Sequence, residues 1–374
     1  MQGYPVQLLQ AMLEHYSPSG SEADLANFLR KEMLAKGIDA RIDEAGNVIG
    51  VLGKEGPRIL LCGHMDTVSG RIPVRVEGDL LFGRGAVDAK ASLAAMIVGA
   101  ALAKERNPTA QITVAGVVEE ETSSKGIRAL MAGKTQYDLA VFGEPSGASN
   151  IIVGYKGSLK LHLTFHTRGG HSASPWLVAS SFEEACTFWS TFQHQLLNNN
   201  AESKFEALTG CVTNIAAGAP GNNVPANAIL EIDVRIPPDM NSEAFVSKAR
   251  EFTERFPAGR KDVTVNLRVE DQTEAFLGPT DSSPLSAFRW AIRKVRGGQV
   301  ALLKKTGTSD INLFAQTQNI PMFAYGPGDS RLDHTESEHV KISEYLATVE
   351  IYAHALTRIA ERARGTEVQA PLTK

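Results

Sequence analysis

Five times in this chain a cluster of acidic or imidazole side chains falls where an apolar run stops or a helix begins, and this limits the fold more than any other feature. ILLCGHMDTV places His64 and Asp66 just after the apolar residues 59–62. LLFGRGAVDAK places Asp88 just before an Ala-rich segment, residues 91–104. ITVAGVVEEE drives the run 112–118 into Glu119, Glu120 and Glu121, and LAVFGEPSG sets Glu144 behind another run. GPGDSRLDHTESEH adds His334. Three adjacent carboxylates at the end of a buried strand repel one another, so something must offset them. Short strands alternating with helical segments argue for an α/β fold, a mostly parallel sheet flanked by helices. In such open sheets ligands bind outside the carboxyl ends of the strands, so these side chains are expected on one rim.

His, Asp and Glu converging without Cys suggest a divalent metal held by nitrogen and oxygen ligands. A core histidine or a solvated acidic loop accounts for any one cluster but not for all five. GRGAVDAK also invites comparison with a nucleotide loop. Asp88, however, stands where a dinucleotide fingerprint needs its third glycine, and no Gly-Lys-Ser/Thr follows. A carboxylate there would repel a phosphate.

The texture changes along the chain. Residues 5–36 have helical periodicity, with Ser21 placed to cap a second helix and Gly37 to end it. Strands follow at 40–42, 48–52, 58–62, 111–118 and 139–143, with a further helix starting near Ser124. Near residue 157 the pattern becomes alternating, at 158–167, 229–236 and 263–269, and two long helical segments, 180–197 and 242–256, lie between. After about residue 275 the α/β texture returns. The expected organisation is therefore a catalytic domain of residues 1–156 and 274–374, interrupted by an inserted α+β domain of residues 157–273.

The formal net charge of −4 gives no sign of nucleic-acid binding. No stretch approaches the roughly 18 apolar residues of a membrane span. The amino terminus lacks the basic region of a signal peptide. Cys62, Cys186 and Cys211 are too few and too scattered for a disulfide framework, so a reducing cytoplasm is the expected compartment.

GHMDTV, GRGAVDAK, EEETSSKG, GEPSG, GGHSASP and DHTESEH occur in that order over nearly the whole chain. They resemble the di-zinc amidohydrolases that include acetylornithine deacetylase, succinyl-diaminopimelate desuccinylase and carboxypeptidase G. Within the family, IPVRVEGDLLFGRGAVDAK, GVVEEETSSKG, GYKGSL and GPGDSRLDHT are most similar to the branch that releases lysine or ornithine from a small acidic amino-group carrier protein. The amide there joins the lysine α-amino group to the γ-carboxylate of the carrier's terminal glutamate.

The resemblance implies a zinc-peptidase-like catalytic domain with an inserted lid and dimerisation domain, in a homodimer. It implies two Zn²⁺ ions, with Co²⁺ or Mn²⁺ compatible with the same ligands. His64, Asp88 and Glu144 would hold one ion; Asp88, Glu121 and His334 would hold the other, with Asp88 bridging. Asp66 would bond the His64 imidazole and fix its tautomer. Glu120 would be the general base, and Glu119 structural. A cis peptide is expected between Asp88 and Ala89. His171, otherwise a surface histidine of a Gly-Ser loop, would stabilise the oxyanion in a partner subunit's site.

Asn223 and Arg235 resemble substrate contacts. The family usually carries one more residue between Asn-Val and Pro, which leaves Asn222 as the alternative to Asn223, and Arg235 has an alternative as a strand-ending structural arginine. In KTGTSD, Thr308 and Ser309 are candidates for binding a substrate carboxylate, or for capping the helix that follows. Lys156 and Lys304 are alternative sources of charge. Between 289 and 305 lie Arg289, Arg293, Lys294, Arg296, Lys304 and Lys305 with no acidic residue. They form either a solvated helix face or a surface that steers an acidic carrier.

The leading reading is an amidohydrolase acting on carrier-bound lysine or ornithine. Its rivals are a deacylase of free acetylornithine, acetyl-lysine or succinyl-diaminopimelate, and an inactive binding protein on the same fold.

Overall fold

The computed structural model describes residues 3–106, 109–133, 135–197 and 201–368. The chain forms two compact units: residues 1–153, 278–303 and 309–374, and residues 154–277 with 304–308.

The first unit is built on a sheet whose central strands are apolar on both faces. Arg58–His64, Gln111–Val117, Leu139–Phe142 and Met322–Ala324 bury nearly every residue. Such continuous apolar runs belong to parallel sheets covered on both sides. Arg58–His64 runs parallel to Gln111–Val117 on one side and to Leu139–Phe142 on the other, and Met322–Ala324 extends the parallel set. Val48–Leu52 and Asp39–Ile42 continue the sheet antiparallel at one edge. Asn150–Tyr155 joins antiparallel beyond Met322–Ala324. Because the parallel strands share a direction, the segments following His64, Val117 and Phe142 leave the same rim.

Helix Lys90–Glu105 is buried along almost its whole length and packs against the terminal helix Ile342–Val368. Gly99 permits that approach: a Cβ there would stand 2.4 Å from Cβ of Tyr352. Helix Ala23–Ala35 begins one residue later than a Ser21 cap would require. Glu22 holds the cap position in a helical conformation without capping through its side chain. That carboxylate instead accepts from the amides of Gly20 and Glu119, so tertiary contacts decide this helix start. Among the described residues no helix is long and apolar enough to cross a membrane.

The second unit is a four-stranded antiparallel sheet in the order Thr209–Ala217, Asn227–Ile236, Gly157–His166, Thr264–Thr273. Its two central strands alternate buried and accessible residues, as half-covered antiparallel strands do. Helices Ser181–Phe192 and Ser242–Arg255 cover one face around Phe188, whose ring lies 5.0–5.6 Å from those of Phe165, Phe192, Phe252 and Phe256. Truncating such a ring costs about 3–5 kcal/mol. A two-stranded ladder, Gly170–His171 with Asn223–Val224, pairs His171 directly with Asn223.

Candidate active site

The rim of the first unit gathers the strand-end side chains. His64 closes the strand Arg58–His64 and is buried. Its Nε2 lies 3.2 Å from Oδ1 of Asp88, whose other oxygen lies 3.2 Å from Nε2 of His334. That same His334 nitrogen is 3.0 Å from Oε1 of Glu121. Ligand atoms of Asp88, Glu121 and His334 all fall within 4.8 Å of one another. A tetrahedral ion with bonds of about 2.0–2.2 Å sets its donors roughly 3.3–3.6 Å apart, so the cluster has the dimensions of a zinc-type site. Asp88 presents one oxygen to each imidazole, which suits a carboxylate bridging two cations. Glu144 lies behind Leu139–Phe142, where its Oε1 accepts from the Ser309 hydroxyl at 2.6 Å. The peptide between Asp88 and Ala89 is cis, as the resemblance implies.

Two buried carboxylates hold this cluster from behind. Asp66 accepts from the amides of Glu120 (3.0 Å) and Glu121 (3.1 Å) and from the Ser19 hydroxyl (2.7 Å). The nearest acceptor to Nδ1 of His64 is the backbone carbonyl of Asp66, at 3.0 Å, whereas the Asp66 carboxylate stands at 3.5 Å. The carbonyl therefore keeps the proton on Nδ1 and leaves Nε2 facing Asp88, while the carboxylate clamps the Glu120–Glu121 backbone. Glu338 does the equivalent for Asp88. It accepts from the amides of Val87 and Asp88 and from Arg84 in a buried ion pair at 2.9 Å. Removing one member of such a pair costs about 3–5 kcal/mol. Nothing in the sequence marks Glu338 as different from its neighbours Glu336 and His339. Its partner Arg84 lies in GRGAVDAK, and only the fold brings them together.

The backbone is strained where these residues sit. Glu119 and His334 adopt left-handed φ angles of 55° and 61°. Non-glycine residues there cost of order 1–3 kcal/mol, and such strain concentrates at functional sites. Glu119 is held by the carboxylate of Glu22 on its amide, by the Ser123 hydroxyl on its own carboxylate, and by Lys125 at 3.5 Å.

The electrostatics follow from burial and charge density. Burial pushes Glu120 well above the usual carboxylate range; His64 opposes this, and the carboxylates of Asp310, Glu144 and Asp88 reinforce it. Burial and the charge of Asp88 raise Glu121 as well. Burial also acts on Asp88, but hydrogen bonds with His334 and His64 outweigh it and hold that carboxyl low. Burial lowers His64, yet hydrogen bonds with Asp66 and Asp88 outweigh that and keep its imidazole protonated well above the ordinary range. His334 is pushed up to about 9, first by its hydrogen bond with Asp88, against burial, and further by Glu121. Two imidazoliums thus balance the carboxylates of the rim. Asp310, the last residue of KTGTSD, is buried beside this group. Burial raises it to about 7, with His64 opposing and Glu144 reinforcing.

Of the remaining sequence candidates, Ser309 belongs to the first unit and Asn223, Arg235, His171 and Thr308 to the second. Ser309 starts helix Asp310–Ala315 with a capping box to Asn312, and its hydroxyl serves Glu144. In the second unit Arg235 is gripped by Asp233 at 2.7 and 2.9 Å and lies 3.5 Å from the Thr308 hydroxyl. His171 is exposed, and its Nδ1 accepts from the Ala173 amide at 3.0 Å, which puts the proton of the neutral ring on Nε2. The side-chain amide of Asn223 donates to the Pro220 carbonyl, and Asn222 offers its carbonyl to the Ser172 amide. Lys156 is buried against the carbonyls of Lys204 and Ala207 and the Thr209 hydroxyl, and burial, helped by Arg235, lowers it to about 8. Lys304 stands 3.9 Å from Glu206. The basic run 289–305 is divided: Arg289, Arg293, Lys294 and Arg296 lie on helix Ser283–Arg296 in the first unit, while Lys304 and Lys305 belong to the second.

Known proteins resemble this chain over nearly its whole length. The LysW-lysine hydrolase of Deinococcus radiodurans is 36% identical over 361 residues, 94% of this chain and 96% of that one. A Pyrococcus abyssi protein provisionally named LysW-lysine/LysW-ornithine hydrolase is 35% identical over 356 residues, 95% and 94% of the two chains. Among solved structures, a tripeptidase from Staphylococcus aureus superposes with a TM-score of 0.82 over 96% of this chain and 99% of that one, at 21% identity, which speaks to the fold alone. The model of peptidase family M20/M25/M40 matches residues 60–358, spanning every rim cluster from His64 to His334. An amidohydrolase with a candidate metal-binding group on its carboxyl rim, the chain belongs to peptidase family M20/M25/M40.

Proposed function

We propose that this chain hydrolyses the amide linking lysine, or ornithine, to the terminal glutamate of a small acidic carrier protein. The observation that carries the hydrolytic part is Glu120. This half-buried carboxyl is held well above its ordinary pKa by desolvation, with Asp310, Glu144 and Asp88 reinforcing and His64 opposing, and its amide is clamped by Asp66. The carrier part is supported by the LysW-lysine and LysW-ornithine hydrolases that match 94–95% of the chain.

In this reading His64, Asp88 and Glu144 hold one divalent ion, and Asp88, Glu121 and His334 hold a second. Zinc is the first choice for this donor set, with cobalt or manganese compatible. When bound, such ions lower the pKa of a water and polarise the scissile carbonyl. Glu120 takes the proton from the attacking water and delivers it to the leaving α-amine, a transfer that needs a carboxyl able to hold a proton near neutral pH. Asp66 keeps the Glu120 peptide from shifting as its charge changes. His171 donates from Nε2 to the developing oxyanion in the active site of a partner subunit, with Ala173 fixing the tautomer. The inserted unit serves as lid and dimerisation domain, and Arg235 and Thr308 hold the substrate carboxylate.

The test is a mass-spectrometric release assay on zinc-loaded protein. Carrier-linked lysine, carrier-linked ornithine, N-acetylornithine and succinyl-diaminopimelate are offered in parallel, with Glu120→Ala as control. Fast release from the carrier alone is the expected result. Fast release from a free acyl-amino acid with the carrier untouched would keep the mechanism and overturn the substrate.

A further inference from the structure

Helix Ser283–Arg296 packs against helix Ile342–Val368, and a groove of about 480 Å³ runs beside them. Arg289 and Arg293 line it from the first helix, Arg358 and Arg362 from the second. Asp281 is the one carboxylate among its described lining residues. Guanidinium groups stay charged at any physiological pH. Four of them around one concavity repel one another and focus a positive potential into it.

Three further features favour an anion there. Arg358 sits 4.1 Å from the centroid of the Trp290 ring, which fixes its plane in the wall. Its Nε is buried and has no hydrogen-bond partner among the described residues. An unmet buried donor is costly, and an oxyanion acceptor would recover that cost. Ser282 and Ser286 line the same groove, so its wall includes the start of a 14-residue helix. Ser282 occupies the N-cap without capping through its side chain, and no acidic residue stands in the first turn. The positive end of that helix therefore adds to the arginines.

The groove is separate from the catalytic rim. Glu344, in the first turn of the terminal helix, accepts from the amides of Gly328 and of Ala148, which follows Glu144 in the chain. Arg358 lies about 21 Å further along the same helix. An occupant of the groove touches none of the rim groups.

We propose that this groove is a second binding site, for a small multivalent oxyanion of the sulfate, phosphate or polycarboxylate kind. Converging guanidiniums in a concave wall of this volume match such an ion better than one carboxylate at a time from a convex protein surface.

The test titrates the metal-loaded full chain with sodium sulfate and, separately, sodium phosphate, with ionic strength held constant by sodium chloride. A saturable rise in the thermal midpoint of about 2–4 °C at roughly tenfold excess over the dissociation constant is expected. Calorimetry should give one site per chain. The double variant Arg289→Gln/Arg293→Gln should lose the response and keep its metal content. Arg358→Gln should lose it too; because that variant also gives up the Trp290 stack, the double variant on the other helix decides if it misfolds. A rise that persists in the variants, or that follows ionic strength alone, overturns the site in favour of simple screening. A polyglutamate peptide that binds while sulfate and phosphate do not would also overturn it, and would make the groove a docking surface for an acidic protein.

Discussion

The rim of the first unit and the His171 ladder of the second hold their polar side chains in opposite ways. On the rim, Glu120, Glu121 and Asp88 are positioned through their own backbone amides, which two buried carboxylates, Asp66 and Glu338, hold in place. Two residues there accept left-handed strain, and nearly every titratable group is displaced from its ordinary pKa. His171 and Asn223 instead sit exposed on a two-residue ladder, each fixed by bonds within the loop. A preorganised site stores its cost in the fold, whereas an exposed one leaves alignment to whatever binds. The two regions should therefore fail differently when altered.

The largest effect is expected at Glu120. Glu120→Gln keeps the shape and removes the proton carrier, and should lower kcat by about 10²–10⁴-fold with metal content unchanged. Intact turnover would remove Glu120 from the mechanism. His171→Ala should cost roughly 10²–10³-fold through loss of one oxyanion donor, without moving the thermal midpoint, because the side chain is exposed. A large drop in stability would show instead that the ladder is structural.

Asp66→Ala should do both kinds of damage. Activity is expected to fall about 10–100-fold, and stability by about 1–3 kcal/mol, as the amides of Glu120 and Glu121 lose their acceptor. Steady-state kinetics and denaturant unfolding on the same sample measure the two together.

A subtler effect concerns protons. The hydrogen bond with Asp88 pushes His334 up to about 9, so below that pH a cation must displace a proton, and apparent metal affinity should rise with pH up to about 9, by roughly tenfold per unit for each proton displaced. The raised pKa also stabilises the metal-free fold. That contribution is complete below the ordinary imidazole value and is lost as pH climbs through 9. The midpoint of chelator-treated protein should thus fall between pH 7 and 10, whereas that of metal-loaded protein should hold. Parallel decline in both forms would break the comparison between cation and imidazolium. The smallest effect on stability is expected for Thr308→Val, within about 0.5 kcal/mol, since its contact with Arg235 is long and Asp233 already grips that arginine.

How much of this was legible beforehand depended on whether a feature was local. The strands Arg58–His64, Gln111–Val117 and Leu139–Phe142 stand where their apolar runs indicate, because a buried parallel strand needs little more than such a run. Their acidic ends meet at Asp88 and His334 for the same reason. Thr209–Ala217 was invisible, since an edge strand with an exposed outer face needs no apolar alternation. The Glu338–Arg84 pair joins residues far apart in sequence, and no spacing rule reaches that distance. Asp310 follows the capping candidates Thr308 and Ser309 and carries no signal of its own; its burial beside Glu144 is a tertiary fact. Ser21 had the chemistry of a cap, but Glu22 was drawn to Glu119 and took the place.

The discontinuity of the first unit sets an order of assembly. Its parallel sheet lacks the strand Met322–Ala324, and its rim lacks His334, until more than 330 residues have been synthesised. The four strands and two helices of the second unit lie within residues 157–273 and emerge together. On a ribosome the inserted unit can close while the older half-sheet around Arg58–His64 still waits for its later strand and helices. A chaperone or a nascent-chain protease would meet that waiting half, and full metal loading would be among the last events in the life of the new chain.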